Sequence, residues 1–282
     1  MSSRVKWAFS PPSVFAGLSV NRRVLKRVIT VFLCFLAIGR IWVYRDNPQT
    51  KVMIVSTVMG RVGYVRLLSE TLDWLNVYDK STVRLFVDET RELKVPEVKR
   101  MFPRAKVQKI VHEFKPKTSP DIATRMAFEY FYRSGYGILL NIDSDTALHV
   151  NWYSFINSHL ETSHGVLSLY NSAAHGSLRC SAELCEKATI GAMGVVMSRR
   201  LVGEVLANVP RRLGEFDWGF VEYFQSRGIT ILVPKRSLAL HYGMHGANGD
   251  GNHTEKAIGF DENIFPKAIA EQIEKFVQGE KP

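Results

Sequence analysis

Cysteine is scarce in this sequence, with three among 282 residues. Cys34 lies within an apolar N-terminal run, whereas Cys180 and Cys185 fall in a stretch, residues 176–185, that we interpret as a loop. One Cys pair with this spacing lacks the second ligand pair of a structural zinc site, which argues against such a site. Whether the pair forms a disulfide depends on the compartment, because thiols oxidise in a secretory lumen and stay reduced in the cytosol.

Signatures of a phosphate loop and of nucleic-acid binding are absent as well. No Gly-Lys-Ser or Gly-Lys-Thr triplet occurs, which excludes a Walker-type phosphate loop. Residues 1–45 contain eight Lys and Arg but no Asp or Glu, so they account for most of the formal net charge of +10. The remainder carries only +2, and a basic tail does not form a face that follows phosphates. We therefore expect no nucleic-acid partner.

The basic tail, residues 1–27, leads into an apolar run at residues 28–44. Its 17 residues are near the lower limit for a membrane-spanning helix, and the charge of Arg40 can reach the interface. We predict a single membrane anchor with the tail in the cytosol, followed by a short linker at 45–50. The alternative is an amphipathic helix in the interface, because only 12 residues of the run precede Arg40.

After the linker, predicted strands and helices alternate. Apolar, β-branched runs predict strands at 51–58, 82–87, 106–111 and 138–142, and helical spacing predicts helices at 64–74, 96–102 and 119–132. Four strand–helix units in series favour a parallel, doubly wound sheet. No internal repeat or low-complexity run interrupts this order.

The strand at 138–142 is followed by two carboxylates, Asp143 and Asp145. Both point to the same side, because side chains alternate along an extended chain. In open α/β sheets ligands bind beyond the carboxyl ends of the strands. Two hard oxygen ligands at that place suit a divalent cation. The alternative is a polar turn that caps the strand, since Asp-x-Asp is common by chance.

The second half of the chain is less regular. Strands are predicted at 165–170, 189–198 and 229–233, and helices at 152–160, at 199–208 and up to residue 225. Three segments carry unusual composition, namely Gly191-Ala-Met-Gly194, Glu215-Phe-Asp-Trp218 and His241-Tyr-Gly-Met-His245.

In their order, these parts resemble the GT-A class of nucleotide-sugar-dependent glycosyltransferases over roughly residues 51–250. The match consists of the polar end of the first strand, the helix before the Asp-x-Asp strand, that motif itself, and the three segments of the second half. The resemblance implies an α/β fold with a Rossmann-like, mostly parallel central sheet and helices on both faces. It also implies a catalytic domain at 51–282, with a nucleotide-sugar half (51–150) and an acceptor half (151–282).

The resemblance further implies a Mn²⁺ ion, or Mg²⁺, held by Asp143 and Asp145 against the diphosphate of the donor. A UDP-sugar is the expected donor and a GDP-sugar the alternative. Such a cation stabilises the charge that develops on the leaving nucleotide diphosphate. Many members use a late histidine as a third ligand, for which His241 fits best and His245 second. The alternative for His241 is a buried strand-end residue without a ligand role.

A general base is expected in the acceptor half if the enzyme inverts the sugar configuration. Asp217 occupies the corresponding place and Glu215 is the alternative. A carboxylate there deprotonates the hydroxyl of a glycan, glycoprotein or glycolipid acceptor in a hexosyltransferase-type reaction. Either residue could instead cap the following helix. A retaining enzyme needs no such base, and Asp217 would then contact the donor or acceptor sugar.

Other contacts are assigned by position within this class. Candidate nucleotide-sugar contacts are Thr57, Arg61, Asp88, Arg125 and Ser144, and candidate acceptor-stacking residues are Tyr170 and Trp218. Residues 246–251 are a candidate lid over the bound donor. The alternatives are a strand-end turn for Asp88, a solvated helix face for Arg125, and core packing for the aromatic residues.

Location and rival functions follow from the same features. We expect a single-pass type II membrane protein, in the Golgi lumen if eukaryotic or viral, or on the cytoplasmic face of the inner membrane if bacterial. A nucleotidyltransferase or phosphohydrolase is the first rival, although the turn at 60–63 lacks the Gly- and Lys-rich pattern it needs. A membrane-tethered binding protein with a degenerate fold is the second, and the joint presence of both aspartates, Asp217 and His241 opposes it.

Overall fold

The computed structural model describes residues 51–111, 119–210, 216–243 and 257–280, all within the compact unit Pro48–Pro282. The predicted tail, anchor and linker lie outside these residues, as do Glu215, His245 and the candidate lid at 246–251. Of the helices in the described part, none is long and apolar enough to cross a membrane.

Strands and helices alternate along the first half and are mixed with short strands in the second. The strands are β1 (Val52–Met59), β2 (Ser81–Asp88), β3 (Lys106–Lys109), β4 (Ile138–Asp143), β5 (Thr146–Leu148), β6 (Val166–Ser168), β7 (Ser177–Cys180), β8 (Leu184–Lys187), β9 (Val195–Ser198), β10 (Ile231–Pro234) and β11 (Ala239–His241). The helices are α1 (Val62–Trp74), α2 (Val95–Met101), α3 (Ser119–Ser134), α4 (Trp152–His159), α5 (Arg199–Asn208), α6 (Phe216–Ser226) and α7 (Lys267–Val277).

Within the described residues, nine strands form one sheet in the order β3-β2-β1-β4-β9-β6-β10-β8-β7. The strands β1, β2, β3 and β4 are mutually parallel, whereas β9 runs antiparallel to both of its neighbours and β8 runs antiparallel to β10 and β7. The prediction of a mostly parallel sheet is confirmed. The four strands of the predicted parallel series are β1 to β4, and the next strand in the sheet, β9, runs in the opposite direction.

Helices cover both faces of this sheet, as predicted. Helices α1, α4 and α7 pack on one face, around residues such as Ile54, Leu68 and Trp152. Helices α3, α5 and α6 pack on the other face, around Phe128 and Phe220. Each helix buries one apolar stripe against the strands, which is the arrangement of a Rossmann-like three-layer fold.

The reversed strand β9 determines where the Gly-rich segment enters the sheet. Gly194 donates its backbone N–H to the carbonyl of Asn141 (2.9 Å), and Asn141 Nδ2 donates to the carbonyl of Ala192 (2.9 Å). Strand β9 therefore begins beside the carboxyl end of β4. The predicted strand at 189–198 is extended chain of the sheet only from Val195, because residues 191–194 form the connection at this edge.

The interpretation of residues 176–185 as a loop was wrong. Strands β7 and β8 form an antiparallel hairpin at the outer edge of the sheet, and Cys180 pairs with Cys185 across it. The two cysteines form a disulfide. The hairpin has little apolar content facing the core, which explains why hydrophobic periodicity did not indicate it.

An aromatic cluster ties the last helix to the rest of the fold. The rings of Tyr64 in α1 and Phe276 in α7 lie 4.7 Å apart, and Tyr242, just after β11, lies 5.9 Å from Tyr64. The Tyr242 hydroxyl donates to the carbonyl of Tyr64 (3.1 Å). All of this lies on the face of the sheet that α1 covers.

Candidate active site and metal centre

Asp143 and Asp145 lie where β4 ends and the chain turns into β5. Asp143 is the last residue of β4, and its backbone N–H donates to Thr146 Oγ1 (3.1 Å). The carbonyl of Asp145 accepts from the backbone N–H of Tyr242 (3.0 Å). These bonds fix the turn between the strands, so that Asp143 stays partly accessible while Asp145 is only 1% exposed.

A two-stranded ribbon brings His241 to this turn from a distant part of the chain. Strands β5 and β11 pair antiparallel, with His241 opposite Thr146. One ligand atom from each of Asp143, Asp145 and His241 lies within 4.8 Å of the others. The structure thus places the three predicted metal ligands together at the carboxyl edge of the sheet.

Arg61, just after the end of β1, contacts the carboxylate of Asp145. Gly60 and Arg61 both have positive φ angles, 59° and 50°, which turn the chain sharply into α1. Arg61 Nη1 donates to Asp145 Oδ2 (2.6 Å), and Nη2 donates to Ser144 Oγ (2.9 Å). A left-handed conformation costs a residue other than glycine roughly 1–2 kcal/mol. The bonds to Asp145 and Ser144 hold the Arg61 side chain at this turn.

Gly243 allows the chain to pass directly over Asp145. A Cβ built on Gly243 would overlap Asp145 Oδ2 and lie 2.6 Å from its Cγ. Gly243 does not have a positive φ, so the requirement for glycine is one of space. Sequence reasoning missed this residue, although it lies inside the His241-Tyr-Gly-Met-His245 segment.

The charged groups of this cluster strongly shift one another's pKa values. Burial opposes ionisation of Asp145, but the positive charges of His241 and Arg61 outweigh it and hold the Asp145 pKa below its usual range. Burial and repulsion from Asp145 raise the pKa of Asp143 to about 6. Burial disfavours the imidazolium of His241, yet attraction to both aspartates raises its pKa to about 9. Shifts of this size are typical of functional sites.

The donor set fits a divalent cation such as Mn²⁺. Two carboxylates and an imidazole are ligands that Mn²⁺ accepts. Asp145 Oδ1 is buried and accepts no hydrogen bond from the residues that the structure describes. His241 Nε2 lies 3.2 Å from this oxygen. A cation at this oxygen would take the place of the imidazolium as the charge partner of the buried carboxylate.

Two further predicted residues lie at the same edge of the sheet. Thr57 in β1 is paired in register with Asp143, so it lies beside it on the adjacent strand. Asp88 ends β2 and is paired in register with Met59, the last residue of β1. Both therefore lie on the carboxyl edge, with Thr57 next to the carboxylates and Asp88 one strand further out.

Asp217 lies in the first turn of α6, close enough for its charge to contribute to the raised pKa of Asp143. Its Oδ1 accepts from the backbone N–H of Trp218 (2.8 Å). The neighbouring Trp218 side chain is 55% exposed, whereas Tyr170 is 5% exposed and packs against Gly194. The structure therefore leaves Trp218 open to solvent beside Asp217 and places Tyr170 in the core.

Arg125 is not brought to the site. Its guanidinium donates to the carbonyls of Val209 (2.9 Å) and Leu206 (3.1 Å) at the end of α5, and it stacks over Phe216. These contacts bind three helices together on one face of the sheet. The predicted diphosphate contact from Arg125 finds no support in this position.

Comparison with known proteins finds partial similarity to several solved structures at low sequence identity. No known family model matches the sequence, and no curated protein matches it. Similar solved structures include Staphylococcus aureus TarS 1–349 in complex with UDP-GlcNAc, at 12% identity and TM-score 0.49, over 67% of this chain and 58% of that one. The same fragment, TarS 1–349, in another crystal structure has 12% identity and TM-score 0.49, over 81% and 71%.

A third similar structure is that of a 4-diphosphocytidyl-2C-methyl-D-erythritol synthase, at 13% identity and TM-score 0.41, over 65% of this chain and 88% of that one. Similarity at these levels assigns no activity to this chain. Its function therefore has to be argued from the residues of the site.

Proposed function

We propose that this protein is a metal-dependent glycosyltransferase that moves a sugar from a nucleotide diphosphate donor to a hydroxyl acceptor. One observation carries the proposal, namely the ligand atoms of Asp143, Asp145 and His241 within 4.8 Å of one another. They lie at the carboxyl edge of parallel strands, which is where open α/β sheets bind ligands. A UDP-sugar with Mn²⁺ is the expected pair, with a GDP-sugar or Mg²⁺ as alternatives.

Residues at this edge of the sheet would bind the cation and the nucleotide of the donor. When bound, the cation would supply Lewis-acid stabilisation of the charge on the leaving diphosphate. Thr57 and Asp88 lie on the neighbouring strands β1 and β2, where the nucleotide would extend along the edge. A cation would bind as His241 gives up its proton, and Arg61 would then balance one of the two aspartate charges.

Asp217 is the proposed general base of an inverting reaction. It lies near enough to Asp143 to influence its ionisation, at the start of a helix on the acceptor side. From there its carboxylate would take the proton of the attacking hydroxyl. The exposed ring of Trp218 beside it offers a surface on which an acceptor sugar would stack.

The membrane anchor at residues 28–44 remains part of the proposal. The disulfide between Cys180 and Cys185 supports an oxidising lumen for the domain, as expected for a type II protein. Protease protection of the domain in sealed microsomes tests this location, and digestion without detergent would contradict it.

The function is tested with the full chain in detergent against a panel of UDP- and GDP-sugars, with and without Mn²⁺. We expect metal-dependent binding and transfer or hydrolysis of at least one donor, and its loss in Asp145→Asn. If no sugar nucleotide binds, or Asp145→Asn matches the wild type, the proposal fails. Release of pyrophosphate from a nucleoside triphosphate would identify a nucleotidyltransferase instead.

The role of Asp217 is tested separately. Asp217→Asn should abolish transfer while leaving the Mn²⁺ affinity within a few-fold of wild type. Glu222→Gln is the matched control, because Glu222 lies on the same helix with its side chain in solvent. Full transfer activity in Asp217→Asn would remove it as the base, as expected for a retaining enzyme, without affecting the metal site.

A further inference from the structure

We infer that Arg61 is a positioning residue that orients the Asp145 carboxylate toward the cation, in place of the nucleotide contact predicted for it. The inference rests on the proposed function, because it assigns a role within the same metal centre. It assigns the two oxygens of Asp145 to different partners. Oδ2 is held by the protein, and Oδ1 is the oxygen that the cation would take.

The two oxygens differ sharply in their surroundings. Oδ2 accepts a hydrogen bond of 2.6 Å from Arg61 Nη1 and lies against the backbone of Gly243, where no Cβ would fit. Oδ1 faces His241 Nε2 at 3.2 Å and receives no hydrogen bond from any described residue. Asp145 is 1% exposed, so these side chains rather than bulk water surround its carboxylate.

Arg61 is itself held in one geometry. Its backbone is fixed by the left-handed turn between β1 and α1, and its guanidinium lies 5.5 Å from the centre of the Tyr64 ring. Its second nitrogen donates to Ser144 Oγ, on a residue that is only 1% exposed. A planar guanidinium makes two directed bonds at once, which a lysine ammonium does not reproduce. The pair of bonds fixes the rotation of the Asp145 carboxylate.

Simple electrostatics and positioning predict opposite effects of removing Arg61. Its positive charge repels a nearby cation, so by charge alone its removal would tighten metal binding. If Arg61 orients the ligand, its removal weakens metal binding instead. Partners that orient metal ligands typically contribute 10–100-fold to metal affinity.

The test measures Mn²⁺ affinity directly, by electron paramagnetic resonance of free Mn²⁺, with the full chain in detergent and no nucleotide. We expect Arg61→Gln to weaken Mn²⁺ binding about 10–100-fold. Arg61→Lys should fall between it and the wild type, because it restores one contact and the charge. Arg66→Gln is the matched control, since Arg66 is an exposed arginine on α1, the helix that Arg61 precedes. Thermal unfolding without metal reports whether each variant is folded.

A second readout separates orientation from general structural damage. In Arg61→Ala, added guanidinium should restore part of the lost Mn²⁺ affinity, and it should not change the affinity of the wild type. Unchanged or tighter Mn²⁺ binding in a folded Arg61→Gln variant overturns the inference and leaves the proposed function intact. A wild-type chain that binds no Mn²⁺ overturns both.

Discussion

Gly243→Ala is the substitution that should damage the site most for the fewest added atoms. The new methyl carbon would overlap Asp145 Oδ2 and lie 2.6 Å from Cγ and 2.9 Å from Cβ of the same residue. Contacts below 3.0 Å are essentially never made by real Cβ atoms. The carboxylate therefore has to move, and with it the ion pair to Arg61.

Two effects lower the unfolding free energy of the Gly243→Ala variant. Overpacking of a filled site costs typically about 1–3 kcal/mol. Asp145 is buried, so weakening its ion pair leaves a charge poorly compensated, and complete loss of a buried partner costs about 3–5 kcal/mol. A carboxylate that rotates keeps part of the pair, so we expect a loss of about 2–4 kcal/mol in unfolding free energy. For a domain of this size each kcal/mol lowers Tm by about 2–4 °C.

Calorimetry of the metal-free protein measures the stability, and Mn²⁺ titration measures the site. Gly176→Ala is the matched control, because nothing lies within 4 Å of a Cβ at Gly176 and its φ is not positive. Both variants lose the same glycine freedom in the unfolded chain. Their difference therefore isolates the contact with Asp145. A Gly243→Ala protein with the Tm and Mn²⁺ affinity of Gly176→Ala would refute the reasoning.

Three further predictions concern pH, packing and the disulfide. Cation binding needs ionised Asp143 (pKa about 6) and neutral His241 (pKa about 9). A plot of the logarithm of Mn²⁺ affinity against pH should therefore rise with a slope of about 2 below pH 6 and about 1 between pH 6 and 9, and level off above pH 9. An affinity that does not change across pH 5–9 would contradict this. Arg125→Met should lower the unfolding free energy by about 2 kcal/mol in urea titrations, because it removes hydrogen bonds between helices, and should leave Mn²⁺ affinity unchanged. Weaker nucleotide binding at unchanged stability would instead support the diphosphate contact predicted for Arg125. Replacing Cys180 and Cys185 by Ser should make the outer hairpin protease-sensitive and lower the unfolding free energy by up to about 2 kcal/mol, because the disulfide closes a short loop. The Mn²⁺ affinity should stay unchanged, and an altered affinity would link the hairpin to the site.

The sequence predicted best what depends on local pattern. Strands β1, β2 and β4 are apolar, β-branched runs, and helix α5 has the bounds 199–208 that its apolar spacing indicated. The end of β4 then places Asp143 by geometry alone, because ligands in such sheets lie at the carboxyl ends of strands. Hydrophobic periodicity is sufficient where an element buries one regular face.

The contacts between distant segments were not predictable in this way. Nothing local indicates that Arg61 reaches Asp145, 84 positions later in the chain, or that β5 and β11 form a ribbon. The reversed strand β9 follows the β7–β8 hairpin in the chain, and that hairpin has too little apolar content to be recognised. Helix α7 was not assigned at all, although it buries Phe276 in the aromatic cluster.

The aromatic cluster connects helix α7 to two segments that lead to the site. Tyr64 lies in the first turn of the helix that Arg61 precedes, and Tyr242 separates His241 from Gly243. Phe276 packs against both rings, so α7 contacts the helix that follows Arg61 and the segment that contains His241. The relative position of these two segments is therefore set partly by a helix late in the chain. We therefore expect loosening of α7 to shift Arg61 and His241 relative to each other.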